Sequence, residues 1–187
     1  EEIASEAFMP VGYGGGVASA AEARRITGIG IEKIVLGASA VMRPDTVAEV
    51  SEALGSSTTV VSVDARKRLT NGWDTFVERG RRKTGLGPVE AARRAQDLGA
   101  GEVLVSSIDR ESTLAGYDLP LIEAVSQAVS VPVVALGGAG RYADLAPALN
   151  AGAAAVAAGS MFVFNGKHRA VLISYPTPQQ VRALSVS

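Results

Sequence analysis

Short, almost wholly apolar runs alternate along this chain with longer stretches in which apolar residues recur every three or four positions. The first kind predicts buried strands at 9–13, 33–36, 58–63, 102–106, 133–136 and 154–158. The second predicts amphipathic helices at 20–29, 44–54, 88–98, 119–129 and 142–150. Strands that are apolar on both faces belong to a parallel sheet covered by helices, so the pattern is a repeated β/α order. Three helix-to-strand joints carry one further signal, a glycine four residues ahead of an apolar strand interior: Gly30 before Ile34, Gly99 before Val103 and Gly152 before Val156. A glycine there suits the left-handed residue that ends a helix.

Two of the strands run into glycines in the same way, in PVGYGGGV (10–17) and PVVALGGAG (132–140). Aligned without gaps, Pro10 meets Pro132, Val11 meets Val133, Gly15 meets Gly137, Gly16 meets Gly138, Ala21 meets Ala143, Gly30 meets Gly152 and Gly37 meets Gly159, all at one offset. An offset kept through a strand, a loop, a helix and the next strand marks an internal repeat. At roughly 30 residues per βα unit, each repeat holds about four units, half of a (β/α)8 barrel. A full barrel takes about 250 residues; the 187 here fall short, and the deficit lies at the front. The expected fold is therefore α/β, an incomplete (β/α)8 TIM barrel with an internal two-fold repeat. It would be a single partial domain over residues 1–187 that carries the third to eighth of eight strands. An open α/β sheet is the alternative.

Composition narrows the chemistry. An apolar fraction of 47% supports one sizeable core. No apolar run approaches the roughly 18 residues of a membrane span, and the acidic start EEIASEAF lacks the basic region of a signal peptide, so a cytoplasmic location is expected. With no cysteine and a single histidine, His168, the chain offers no disulfide, no thiol nucleophile and no metal cluster. No metal or cofactor is expected, and His168 reads as a surface or packing residue. A net charge of -1 argues against a nucleic-acid partner. Basic residues gather at Arg66, Lys67 and Arg68 and in RGRRK (79–83), either as solvated loops or as a patch for an anion or a partner.

Glycines at the C-terminal ends of parallel strands let backbone approach a ligand and leave amide hydrogens for phosphate oxygens. The repeat makes two such places: Gly14, Gly15 and Gly16 with Gly37, and Gly137 and Gly138 with Gly159 and Ser160. On opposite sides of one barrel mouth, they would hold a small molecule with a phosphate at each end. Asp64, in VVSVDA, ends an apolar strand, where a partly desolvated carboxylate can act as general acid or base; the alternative is a carboxylate pinned by Arg66 or Lys67. The repeat mate of Asp64 would precede residue 1. Asp109 either contacts the substrate or caps backbone amides. Lys33 and Glu102 each follow a joint glycine by three residues, which puts both at strand starts, opposite the phosphate end. There a structural salt bridge is one reading.

Through GGGV, VVSVDARKR, RRKTG, LGAGEVLVSSIDREST, GYD, ALGGAG and AAGSMFVF, from about Phe8 to Phe164, the chain resembles the cyclase subunits of imidazole glycerol phosphate synthase. The resemblance implies a complete barrel whose first two strands are absent from this sequence. It also implies a lyase-type enzyme of histidine biosynthesis that joins ammonia to a bisphosphorylated aminoimidazole carboxamide ribonucleotide, closes the imidazole ring and cleaves the product away. Its partner would be a glutaminase subunit, as a heterodimer, and its catalytic pair two aspartates at the ends of the first and fifth strands, of which Asp64 matches the second. Ser106 and Thr113 match hydroxyls that face the active site, with a turn role the alternative for Thr113. Gly15, Gly16, Gly37, Ala38, Asp109, Ser112, Gly137, Gly138, Gly159 and Ser160 fall at substrate- and phosphate-binding positions. Lys33 and Glu102 match charged residues around the entrance for ammonia.

Departures from the family accompany the match. The usual Asn-Thr ending the fourth strand is Gly37-Ala38, the serine before the second glycine pair is Leu136, and an acidic residue with glycine becomes Glu111 with Ser112. The ending NGKHRAVLISYPTPQQV is closer to paralogues found with surface-sugar amidotransferases, which pass ammonia from a glutaminase to a sugar. The histidine-pathway cyclase is the first expectation, an ammonia-delivering paralogue the second, and a phosphate-binding barrel fragment without catalysis the third.

Overall fold

The structure is a computed structural model that describes residues 6–7, 9–166, 169–182 and 184. Six parallel strands form the sheet, β1 (Gly12–Gly14), β2 (Lys33–Leu36), β3 (Thr59–Lys67), β6 (Glu102–Ser107), β7 (Val133–Leu136) and β8 (Ala155–Ala157), hydrogen-bonded in that order. A hairpin made by β4 (Trp73–Val77) and β5 (Arg82–Lys83) extends β3 on the way to β6. Among the described residues β1 and β8 are the two edges, so the sheet is an incomplete (β/α)8 barrel with six strands in barrel order. The expected parallel β/α order is present.

Alternation along the strands divides the sheet into two faces. Ile34, Leu36, Val63, Val103, Val105 and Ala135 are buried beneath the helices α1 (Ala20–Thr27), α3 (Asp45–Leu54), α4 (Pro88–Asp97) and α5 (Leu119–Ser126). Each fully buried Val, Leu or Ile contributes about 1.5–3 kcal/mol, and Val47, Val50, Ala92 and Val125 supply the helical side of that layer. The residues between them, Val35, Ser62, Asp64, Leu104, Ser106, Val134 and Leu136, are half-buried and form the inner face. The three joint glycines adopt the left-handed conformation required of them, with φ of 94° at Gly30, 97° at Gly99 and 100° at Gly152.

Several elements differ from those expected of the sequence. The strand expected to end near Val63 continues to Lys67 and turns back through β4, with Asp64 opposite Phe76 and Ala65 opposite Thr75. Arg82 and Lys83 of the basic run are therefore strand residues, not a solvated loop. The first strand is confined to Gly12–Gly14, and the stretch 142–150 opens as a 3-10 turn (Tyr142–Asp144) before α6 (Leu145–Asn150). Two short helices were not anticipated, α2 (Ala38–Met42) and α7 (Ser160–Val163). They follow Gly37 and Gly159, repeat mates with nearly the same φ, -110° and -112°.

Charge fastens the hairpin. Asp74, only 8% exposed, accepts from Arg68 at 2.7 Å and from Lys83 at 2.7 Å, and these two donors hold its carboxyl below the usual carboxylate range. A folded-state value below the unfolded one contributes stability above the unfolded pKa, about 3.9, that is lost as pH falls through the folded value. Acid titration should therefore loosen the hairpin only below about pH 4. Fluorescence of Trp73, the only tryptophan, reports it, and Asp74→Asn should abolish the acid step.

Candidate functional site

The C-terminal ends of β1, β2 and β3 open onto one cavity of about 610 Å3, lined by Gly14, Gly15, Gly16, Gly37, Ala38, Ser62, Asp64 and the hairpin residues Phe76, Val77, Glu78 and Arg79, among others. The first glycine cluster and the expected catalytic aspartate therefore share a space, although the sequence separates them by nearly 50 residues. Gly15 and Gly16 take φ of 128° and 76°, and a Cβ on either would meet nothing within 4 Å. Their left-handed backbone is a requirement of the turn, and the space beside it is open.

Asp64 is not pinned by its basic neighbours. Its carboxylate accepts at 2.8 Å from the Ser62 hydroxyl, two residues back on the same face of β3. Arg66 instead lies over the Phe76 ring, 4.5 Å from its centroid, and 3.9 Å from Asp109. Burial pushes the Asp64 carboxyl above the usual carboxylate range, against the lowering effect of the Ser62 hydrogen bond. Such a group exchanges a proton closer to neutral pH than a solvated aspartate does, which suits general acid–base work.

The second glycine cluster is built differently. Gly137, Gly138, Gly159 and Ser160 meet Glu111, Ser112 and Leu136 around a crevice of only about 10 Å3, and the Ser160 hydroxyl donates to Ser112 Oγ at 3.2 Å. Gly137 and Gly138 have φ of 100° and 104°, but the backbone that approaches them belongs to this chain: Cβ atoms there would collide with the carbonyls of Ser107 and Gly116. Tyr117 secures the same region by donating from its buried hydroxyl to the Ala157 carbonyl at 2.9 Å. Desolvation, with the Asp144 charge, raises that hydroxyl to about 12, so it stays a donor at any working pH.

The remaining candidates divide. Ser106 is level with Asp64 on the inner face, paired with it in register. Asp109 spends one oxygen on the Lys67 backbone amide at 2.7 Å, and the Thr113 hydroxyl donates to the Arg110 carbonyl at 2.7 Å; both contacts tie loops. Lys33 and Glu102 pair at 3.2 Å at the strand starts, with side chains 39% and 24% exposed, at the end of the sheet away from Asp64. His168 lies outside the described residues. Arg43 and Arg79 also line the cavity; Arg79 opens the RGRRK run, for which an anion patch was one of the two readings, whereas Arg43 was not anticipated, and the charge just after α2 is the signal that could have found it.

An incomplete βα barrel with strand-end glycines and a desolvated aspartate at one mouth describes a small-molecule site at the catalytic end of the fold. Comparison with known proteins gives the family. Residues 1–169 match the family of histidine biosynthesis proteins. The chain is 39% identical over 186 residues to a Leptospira interrogans protein provisionally named imidazole glycerol phosphate synthase subunit HisF, covering 98% of this chain and 73% of that one. It is 44% identical over 161 residues to the imidazole glycerol phosphate synthase subunit HisF of Streptomyces griseus, covering 86% of this chain and 64% of the relative. A Pseudomonas aeruginosa protein provisionally named subunit hisF2 is 43% identical over 94% of this chain and 70% of its own length. The chain belongs to the histidine biosynthesis protein family and, within it, to the HisF group.

Proposed function

We propose that the full-length protein is the cyclase subunit of imidazole glycerol phosphate synthase. In this reading it uses glutamine-derived ammonia to form imidazole glycerol phosphate and aminoimidazole carboxamide ribotide. The observation that carries the reading is the shared cavity of Gly14–Gly16, Gly37 and Asp64, in a chain whose relatives bear that name. One phosphate of the substrate sits on the Gly15, Gly16 and Gly37 backbone, the other beside Ser112, Gly159 and Ser160. Between them Asp64 exchanges protons with the closing ring, its raised pKa matching it to that task, and Ser106 lies alongside. Expressing the full-length protein in a histidine auxotroph that lacks its own cyclase subunit tests the reading. Growth without histidine supports it, and no growth despite soluble protein counts against it.

Ammonia set free in solution is protonated and diluted, so a glutaminase subunit docked at the strand starts would deliver it neutral through the barrel. Lys33 and Glu102 stand at that end as an ion pair. Because both are partly exposed, removing either should cost only about 0–1 kcal/mol of stability. The effect on delivery should be larger: Lys33→Ala or Glu102→Ala should lower glutamine-dependent turnover several-fold while turnover with added ammonium salt stays near wild type. A parallel fall in both, measured on one preparation with the glutaminase present, removes these residues from the ammonia path.

A further inference from the structure

The two positions directly after β2, Gly37 and Ala38, carry no side-chain donor, and the hydroxyls of Ser39 and Ser62 are the neutral donors that line the cavity beside them. Positive charge reaches the same cavity from two other places. Arg43 follows α2 and donates to the Ala18 carbonyl, bracing the loop that follows Gly14–Gly16. Arg79 comes from the hairpin tip, and both arginines line the cavity with Gly15, Gly16, Gly37 and Asp64. Neither makes an ion pair with a carboxylate among the described residues.

The backbone around Arg79 is shaped for this placement. Glu78, Arg79 and Gly80 are consecutive left-handed residues with φ of 55°, 60° and 77°, a run that side chains disfavour and that persists only where the surroundings hold it. Several contacts do so. The Arg81 amide reaches back to the Val77 and Glu78 carbonyls at 3.2 and 3.3 Å, Arg82 pairs with Glu78 at 3.3 Å, and Arg66 packs under Gly80 while covering the Phe76 ring. Arg82 also reaches Met42 Sδ at 3.8 Å, linking the hairpin to α2 on the far wall.

We propose that Arg79 is a specificity-determining residue that binds the phosphate group seated on the Gly15, Gly16 and Gly37 backbone. On this assignment it supplies from the hairpin the side-chain donors that Gly37 and Ala38 lack, with Arg43 bracing the opposite wall. A guanidinium presents forked donors that match phosphate oxygens, and an otherwise unpaired arginine at the rim of a glycine-lined cavity selects anionic ligands. The inference rests on the reading of this cavity as a phosphate site.

Amide chemical shifts of Gly15 and Gly16, followed by NMR while inorganic phosphate is added to the full-length protein, test it. In wild type both amides should shift saturably. Arg79→Ala should raise the half-saturating phosphate concentration about tenfold, Arg79→Lys should bring it back to within about threefold, and Arg81→Ala, outside the cavity lining, should leave it unchanged. If the glycine amides shift at the same phosphate concentration with and without the Arg79 side chain, or if Arg81→Ala is equally harmful, the assignment of Arg79 is overturned while the phosphate site stands. If the wild-type amides do not respond, the site and the assignment fall together.

Discussion

Asp64→Asn in the full-length protein should lower ammonia-dependent turnover by about 10^2 to 10^4, the range expected when a positioned acid or base is lost, while ligand affinity stays within about tenfold of wild type. The two effects separate because Asp64 supplies no phosphate contact. It sits on the inner face of β3, where burial raises its pKa and one hydroxyl donor, Ser62, orients it. Asparagine keeps the size and the capacity to accept from Ser62 but cannot exchange a proton. Steady-state kinetics with ammonium salt, together with direct ligand titration, distinguish the outcomes: kcat should fall with little change in binding. Turnover near wild type would remove Asp64 from the mechanism, and a loss of affinity as large as the loss of rate would make it a binding residue.

The repeat provides the second large effect. Gly16 and Gly138 occupy equivalent positions and both have positive φ, 76° and 104°, yet they face different surroundings. An alanine at 16 meets only the conformational penalty of a left-handed residue, about 1–2 kcal/mol, because nothing lies within 4 Å of the added atom. An alanine at 138 meets the Gly116 carbonyl and the Arg110 side chain besides, and the Gly116 amide is already bonded to the Gly138 carbonyl at 2.8 Å. Relieving that collision breaks packed backbone, so Gly138→Ala should cost roughly 3–5 kcal/mol, the size reserved for strain and overpacking in a core. Urea denaturation reads both as shifts in midpoint. Equal losses at the two positions would contradict the packing described at the second cluster.

That contrast also shows what the sequence can and cannot disclose. The strand order, the joint glycines and the repeat were legible because each depends on local pattern: apolar strand interiors, a glycine at a left-handed helix end, one constant offset. Asp64 was legible for the same reason, as a charge terminating an apolar strand. The hairpin was not, because 64–83 reads as polar and its strands are held by tertiary pairings: Asp74 with Arg68 and Lys83, Arg66 on Phe76, and the Trp73 indole donating to Asp118 at 2.9 Å. Arg79 was visible only as part of a basic run open to two readings, since it reaches the cavity once the hairpin folds back, and Arg43 was missed because the short helix α2 that places it has no helical period to read. α2 and α7 were too short to show a helical period, although the shared offset of Gly37 and Gly159 joined them in advance. The sequence marks the two glycine clusters as equivalents; only the structure shows this chain's own backbone packed against Gly137 and Gly138, while Gly15 and Gly16, like Gly159, keep open space beside them.

The most direct measurement of the central claim is conversion of the bisphosphorylated aminoimidazole carboxamide ribonucleotide by the purified full-length protein with ammonium salt as the only nitrogen source. Imidazole glycerol phosphate and aminoimidazole carboxamide ribotide should form saturably and in equal amounts, without added metal or cofactor. Saturable binding of the same ribonucleotide with no product formed would contradict the claim.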